Sequence, residues 1–461
     1  MSPPGVGTDV DAHEVVSEAR RLGVTLIRFE YCDVSGVARC KAVHVARLAD
    51  KMREGVNLTR AQMAINLLEQ VVHVEGMEPV GEIRLVPDPD TFSVLPWVPT
   101  SASLLCDQWG HDRRAWGACP RTYLKDVITR ATKSGISVRA AFENEYYLAR
   151  EQDGRYIPVD LPDHAPVYSP IGHDLHADVM VETVDALEAQ DLAVEQAINE
   201  YGPGQQEISI RHADALRAAD NQMKFRDTVR GVALRHGMLA SFAPKPFPEQ
   251  IGSGAHLHLS LWDADGQRNL LYAPSADGGL SALGRHFIAG VTDHLPALAA
   301  LTSPSYNSFR RLTPSAWAAA TTAWGFDNRE AALRVCSPFH GREEQSYNLE
   351  FKTSDGSANP YLSLGALITC GLDGIARGLE PGEPSAHDPA RMTPEELSRG
   401  RVRPLPKSMG AALDQLQRDD VLLGSMDELL ARCYLAVRRS EDEEFSVQDQ
   451  EFEIRHHFYR F

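Results

Sequence analysis

The sequence predicts an α+β protein in two parts. A small strand-rich N-terminal unit, residues 1–107, precedes a larger α/β unit, residues 108–461. Three observations carry this. At 461 residues the chain is too long for one compact core. Its first hundred residues hold short apolar runs separated by turn residues. Beyond residue 120, strand-like runs alternate with long segments of helical period.

In chain order, residues 10–22 place apolar side chains at helical spacing and stop at Gly23. Val24–Tyr31 and Ala38–Val45 read as strands about the turn Asp33-Val-Ser-Gly36. Residues 46–54 read as a short helix, and Ile83–Val86 and Ser93–Val98 as strands. In the larger unit, Arg121–Ser134 is helical. Strands are expected at 137–149, 206–211, 238–243 and 255–262. Helices are expected at 181–199, 214–236, 281–300 and 359–378. The stretch 379–408, rich in Pro, Glu and Arg, reads as a surface excursion. A helical pattern follows at 409–437, and the tail Arg455-His-His-Phe-Tyr-Arg-Phe has no assigned role.

Composition excludes several classes. With 43% hydrophobic and 24% charged residues the chain reads as soluble and globular. Its 46 basic and 64 acidic residues leave a net charge of −18, which argues against a nucleic-acid partner. A polyanion such as ATP stays possible, because arginines and metals reverse the sign locally. No run of 18 apolar residues is present and the N-terminus lacks the pattern of a signal peptide, so the expectation is a cytoplasmic protein without membrane contact. The seven cysteines form no Cys-x-x-Cys pair and read as free thiols.

Six potential metal ligands stand in four patches: Glu143 and Glu145, Glu200 and Glu207, His256, and Glu350. Five carboxylates and an imidazole suit Mg²⁺ or Mn²⁺ beside phosphate oxygens. On a strand, Glu143 and Glu145 share a face, and two adjacent carboxylates repel unless a cation lies between them. Glu143 and Glu145 also interrupt an apolar run, where a solvated strand would be more polar. A lone histidine is usually a hydrogen-bonded core residue. Here His256, His258 and Ser260 alternate along one strand face behind Gly252-Ser-Gly, and glycine lets backbone approach a ligand. Arg311, Arg329 and Arg334 offer planar forks for oxyanions.

In this order the motifs resemble the glutamine synthetase family over essentially the whole chain. They are Glu143-x-Glu145, Glu200-(six)-Glu207, Lys245-Pro246 with Gly252-Ser-Gly-x-His256-x-His258-x-Ser260, Asn307-Ser-x-x-Arg311-Leu, Asn328-Arg329-(four)-Arg334, and Glu350-x-Lys352 with Ala358-Asn-Pro-Tyr361. The resemblance implies a β-grasp N-terminal domain on a catalytic domain. It implies a homo-oligomer, a dodecamer of two hexameric rings, with sites between neighbouring subunits. It implies ATP-dependent activation of glutamate as a γ-glutamyl phosphate, followed by attack of a nitrogen nucleophile.

Position by position, Glu145, Glu200 and Glu207 match the ligands of one metal, and Glu143, His256 and Glu350 those of a second. Arg329 and Arg334 match phosphate-facing arginines, with Arg329 and Arg311 in catalytic roles. Gly252, Arg311 and Lys352 match glutamate contacts. His212, His258 and Ser260 match nucleotide contacts.

Departures from the pattern point to the nucleophile. Where the family carries Asp-Gly-Ser-Ser, this chain has Val56-Asn-Leu-Thr59. Where it carries Pro-Gly-x-Glu-Ala-Pro, this chain has Pro314-Ser-Ala-Trp317-Ala-Ala. Both carboxylates of the ammonium pocket are thus replaced. A pocket with Thr59 and Trp317 suits an organic amine, whose carbon part packs on the indole. The expected activity is a glutamate–amine ligase of the γ-glutamylamide branch, with ethanolamine, polyamine, alkylamine or arylamine as nucleophile. Glu82 is a candidate replacement base. The rivals are an ordinary glutamine synthetase with relocated ammonium ligands and a non-catalytic, assembly-forming relative. Lys352 stands where the family has Arg, and Ile251 where it has Asn, so the acid substrate is open as well.

Overall fold

The computed structural model describes residues 9–160 and 166–461. The N-terminal sheet runs in the order Ala38–His44, Leu26–Cys32, Ser101–Trp109, Glu82–Pro87, Val56–Thr59, with Ser93–Val94 also on Ser101–Trp109. Leu26–Cys32 and Ser101–Trp109 pair in parallel; the other pairs are antiparallel. The helix Asp9–Arg21 sends Val15, Val16 and Ala19 into the same core as Ile27 and Phe29. This is the mixed sheet with a packed helix expected of a β-grasp unit.

The strand Ser101–Trp109 is absent from the sequence reading, although it is the centre of the sheet. The reason is physical. From Ala102 onward every residue is buried, so no in–out alternation marks it. Conversely, Ser93–Val98 is a strand only at Ser93–Val94, because the chain turns back to let Ser101–Trp109 pair with it.

The large sheet runs Trp324–Phe326, Leu333–Cys336, Asn348–Phe351, Ala255–Asp263, Ile136–Gln152, Gln205–Ile210, Val194–Asn199. Ile136–Gln152 is its spine. From Ile136 to Tyr146 it alternates buried and half-buried residues. One face sends Ile136, Val138, Ala140 and Phe142 into the core. The other face carries Glu143 and Glu145. Even the core-facing Asn144 is satisfied, trading hydrogen bonds of 2.8 and 2.6 Å with Gln222 on the helix Ala215–Arg235.

The segment 181–199 is not one helix. Helix Ala177–Glu188 ends, Asp191 takes a left-handed φ of 61°, and Val194–Asn199 follows as an edge strand. The pattern at 409–437 also breaks. It becomes Met409–Leu416, Asp420–Gly424 and Glu428–Ser446, the last two started by side-chain caps from Asp419 and Asp427. The seven cysteines are free, as expected. Among the described residues no helix is long and apolar enough to cross a membrane.

Behind the sheet, helices Ala282–Thr302 and Pro360–Arg377 cross at Gly290 and Gly374. A Cβ on Gly290 would lie 2.2 Å from the Cys370 carbonyl oxygen, a backbone atom that cannot swing away. Gly290→Ala is therefore expected to destabilise the protein by about 1–3 kcal/mol. A lowered thermal midpoint is the readout, and an unchanged one would show that the helices slide apart freely.

Candidate active site

One line of paired residues crosses the large sheet and explains the site. Arg334 pairs with Glu350, Glu350 with His258, His256 with Glu143, and Glu145 with Glu207. Because residues two apart on a strand share a face, this register puts the whole set on the side away from the helices. Glu200 follows the edge strand Val194–Asn199. Of this set Glu143, Glu145, Glu207 and His256, with Glu200, line a cavity of about 610 Å³, while Arg334, Glu350 and His258 continue the same row outside its lining.

Two charge environments sit side by side. Around Glu350, which is 1% exposed, positive charge gathers. Arg334 Nε lies 2.8 Å from its Oε2, Lys352 Nζ 3.3 Å and His256 Nδ1 3.1 Å from its Oε1. Burial opposes the charge on Glu350, but Lys352 and the imidazoles outweigh it and hold its carboxyl well below the usual range. Glu143 is likewise lowered: the hydrogen bonds from His256 and His258 overcome its burial. Burial works against a charged His258, yet its bonds to Cys336 and Glu143 keep the ring well above the ordinary imidazole range.

The neighbouring half is uncompensated. Glu145, Glu200 and Glu207 have no ion-pair partner among the described residues. Burial, then Glu143, Glu145 and Glu200, push the Glu207 carboxyl up to about 10. Burial and Glu145 push Glu200 up to about 7. Three repelling carboxylates in a cavity are a cation site by their chemistry, and an all-oxygen set favours a hard divalent ion. The Glu143 half adds imidazole. There the ligand atoms of Glu143, His258 and Glu350 lie within 4.8 Å of one another. His256 is as near, with Nδ1 3.4 Å from Glu143. Both rings thus face the carboxylate pair that the sequence had assigned to His256 alone.

Arg311 lines the same cavity beside His256, its Nη2 lying 3.2 Å from His256 Nε2. It is buried, its Nη2 donates to the Lys352 carbonyl at 3.2 Å, and its Nη1 has no hydrogen-bond partner among the described residues. A buried guanidinium with a free donor facing a cavity is suited to a carboxylate ligand. Gly252 lies against it; a Cβ there would meet Arg311 Cγ and the Pro244 carbonyl, both at 2.8 Å. Arg329 and Lys352 line the same cavity, and Arg329 is exposed to it.

At the cavity mouth stands an aromatic group of which the sequence marks only Trp317. Trp317, 46% exposed, meets Tyr201 edge-on, with centroids 5.9 Å apart at 85°. Tyr201 meets Tyr168 at 6.2 Å and 68°. All three line the cavity beside Glu200 and Glu207. Burial, then those two carboxylates, push the Tyr168 hydroxyl up to about 12. The loop that carries Trp317 is wound through left-handed residues Ser315, Trp317 and Ala319, with φ of 54°, 54° and 58°. Two acidic anchors hold it: Ser315 Oγ donates to Asp388 at 2.7 Å, and the Trp317 N–H donates to Glu330 at 3.1 Å. Tyr201 was within reach of the sequence reading, adjacent to Glu200 in Glu-Tyr-Gly-Pro. Tyr168 and Glu330 carried no pattern that would have marked them.

Several expected residues lie elsewhere. Ser260 is buried further along its strand and accepts a bond from Trp262 Nε1 at 2.8 Å. His212 is exposed on the link between Gln205–Ile210 and Ala213–Asp214. Thr59 and Glu82 are cross-strand partners on the N-terminal sheet, outside this cavity, and Asn57 and Arg84 hydrogen-bond the Glu82 carboxylate. Glu82 is therefore no replacement base for the cavity of its own chain.

Comparison with known proteins agrees with this geometry. The family model described as glutamine synthetase, catalytic domain, matches residues 117–457, and that of the glutamine synthetase N-terminal domain matches 10–117. A γ-glutamylpolyamine synthetase of Streptomyces coelicolor is 37% identical over 423 residues, covering 91% of this chain and 90% of that one. A glutamine synthetase of Halobacterium salinarum is 31% identical, covering 97% and 96%. Among solved structures, a glutamine synthase homolog has a TM-score of 0.84 at 32% identity, covering 95% of this chain and 99% of that one. An ADP complex of GmaS has a TM-score of 0.83 at 30% identity, covering 96% and 98%.

Proposed function

The chain belongs to the glutamine synthetase family and is an ATP-dependent ligase of that type; from that premise we propose that it joins the γ-carboxylate of glutamate to an organic amine. The observation that carries the reading is the aromatic trio Tyr168, Tyr201 and Trp317 beside the carboxylates Glu200 and Glu207. Aromatic faces attract an organic ammonium by about 0.5–2 kcal/mol each, and they also cover its carbon chain. The γ-glutamylpolyamine synthetase among the relatives supports it. The relatives named glutamine synthetase leave ammonium as the rival nucleophile.

In this mechanism Arg311, with Gly252 beside it, binds the α-carboxylate of glutamate. Lys352 lies on the same wall and neutralises the reacting end. Arg329 and Arg334, with His258, hold the phosphates of ATP. Divalent cations held by Glu145, Glu200 and Glu207, and by Glu143, Glu350 and a histidine, would supply charge neutralisation for phosphoryl transfer. The γ-carboxylate oxygen attacks the γ-phosphorus, the bond to ADP breaks, and γ-glutamyl phosphate forms. The bound organic ammonium gives one proton to solvent, the resulting neutral amine nitrogen attacks the acyl carbon, the C–O bond to phosphate breaks, and the second N–H proton leaves with the phosphate. Tyr168, Tyr201 and Trp317 orient the amine and exclude water, which would otherwise hydrolyse the acyl phosphate.

We also propose a homo-oligomer of two hexameric rings in the cytoplasm, as the family pattern implies; in it Thr59, which lies off the cavity of its own chain, would belong to the amine pocket of a neighbouring copy.

The test is phosphate release from ATP with glutamate and Mg²⁺, across ammonium, ethanolamine, putrescine, spermine, isopropylamine and aniline, with mass detection of product. The expected result is one amine exceeding ammonium by at least about tenfold at equal concentration, as ~1.4 kcal/mol of added ring contact would give. Ammonium winning would establish the ordinary synthetase. ATP failing to bind with metal would leave the non-catalytic relative.

A further inference from the structure

The tail Arg455-His-His-Phe-Tyr-Arg-Phe belongs to a helix, Gln450–Arg460, started by a cap from Asp449 to the Phe452 N–H. This helix lies on its own chain. Phe458 stacks on Tyr156 with centroids 4.0 Å apart at 12° and meets Phe247 edge-on at 5.9 Å. Arg460 Nε donates to the Leu67 carbonyl at 3.2 Å. A helix that needed only apolar anchoring would stop there, yet it also buries a carboxylate.

Glu453 is 2% exposed and its two oxygens have separate tasks. Oε1 accepts from Asn307 Nδ2 at 2.7 Å, and Oε2 accepts from Arg310 Nη2 at 3.1 Å. Arg310 is the neighbour of Arg311 on the single turn Ser308–Arg311. Asn307 passes the contact on. Its Oδ1 accepts the Lys245 N–H at 2.6 Å and its Nδ2 donates to the Lys245 carbonyl at 3.2 Å. Lys245 opens the loop that ends at Gly252, closed on itself by Lys245 Nζ to the Gln250 carbonyl and by the Ser253 N–H to the Pro244 carbonyl at 2.8 Å. One buried carboxylate thus holds both the turn that presents Arg311 and the loop that presents Gly252.

We infer that the C-terminal helix is a positioning element of the acid-substrate site and that Glu453 is the residue through which it acts. The inference rests on the reading of Arg311 and Gly252 as the glutamate contacts. Charge-assisted bonds inside a protein set rotamers firmly, and Glu453 fixes the segments on either side of the substrate acid at once. Its loss loosens the acid pocket first: among the described residues the helix makes no hydrogen bond or ion pair to the aromatic mouth or to the floor carboxylates, and it reaches the floor through Arg311, whose Nη2 lies 3.2 Å from His256 Nε2.

The experiment is steady-state kinetics on the full chain with glutamate, ATP and nucleophile varied in turn, for Glu453→Gln, Glu453→Asp, Arg310→Gln and Arg311→Lys. Glu453→Gln keeps an acceptor for Asn307 and withdraws the charge from Arg310. It is expected to raise KM for glutamate by about tenfold, as a misplaced binding group does, with kcat and KM for ATP unchanged and partial rescue in Glu453→Asp. Arg310, half exposed, carries the test if Glu453 variants do not fold, with the same selective rise. If KM for every substrate moves together, or none moves, while Arg311→Lys still weakens glutamate, the inference is overturned and the acid site stands. If Arg311→Lys leaves glutamate unaffected, the assignment of the acid site itself is wrong.

Discussion

Replacing Glu145 with alanine is expected to lower turnover by roughly three orders of magnitude, since metal-assisted charge stabilisation is worth several kcal/mol and each ~1.4 kcal/mol is a factor of ten. The fold should survive. Glu145 stands on the open face of Ile136–Gln152, while its neighbours Tyr146 and Tyr147 are the buried ones. The variant loses one acceptor, for the Gly254 N–H at 2.8 Å. It also loses one of the carboxylates that push Glu207 and Glu200 upward. A lost hydrogen bond costs about 1 kcal/mol, and relief of like charge offsets it, so the thermal midpoint without added metal should barely move. Mg²⁺ or Mn²⁺ should raise that midpoint in the parent protein and fail to do so in the variant, because a ligand stabilises only the state that binds it. Turnover at the parent's level would remove Glu145 from the metal site.

Much of this floor was legible in the sequence because strand geometry is local. Glu143 and Glu145, or His256 and His258, must share a face whatever the strand pairs with. Which strands lie side by side is a long-range fact, so the sequence could not show that Glu350 would sit against both histidines or that Glu145 would oppose Glu207. Elements marked by alternation were found, as at 137–149. Elements without it were missed, as with Ser101–Trp109, which is buried on both faces, and Val194–Asn199, an exposed edge. The same limit applies at the mouth of the cavity. Trp317 stood out because it replaces an acidic residue of the family pattern. Tyr168 and Glu330 meet it only through tertiary structure: Tyr168 by way of Tyr201, Glu330 by a bond across a turn. Glu453 lies 146 residues from Asn307, beyond the reach of any local pattern.

Trp317→Glu is expected to shift the ratio of kcat/KM for amine over ammonium toward ammonium by about tenfold to a hundredfold, the sum of lost ring attraction and a regained anion for a small cation. The substitution should be well tolerated by the fold. Trp317 is 46% exposed, so no core is opened. Its left-handed backbone strains either side chain alike, and its N–H keeps the bond to Glu330. The new carboxylate would enter a site that already holds Glu200 and Glu207. It would be hard to keep ionised unless a cation accompanies it, and ammonium is such a cation. The gain for ammonium should therefore shrink as pH falls and the carboxylate protonates, whereas the loss for the amine, which comes from the missing indole, should persist. Measuring the ratio at two pH values separates the two causes. A ratio unchanged at both would mean that Trp317 shields the cavity without touching the nucleophile, and selection would then rest on Tyr168 and Tyr201.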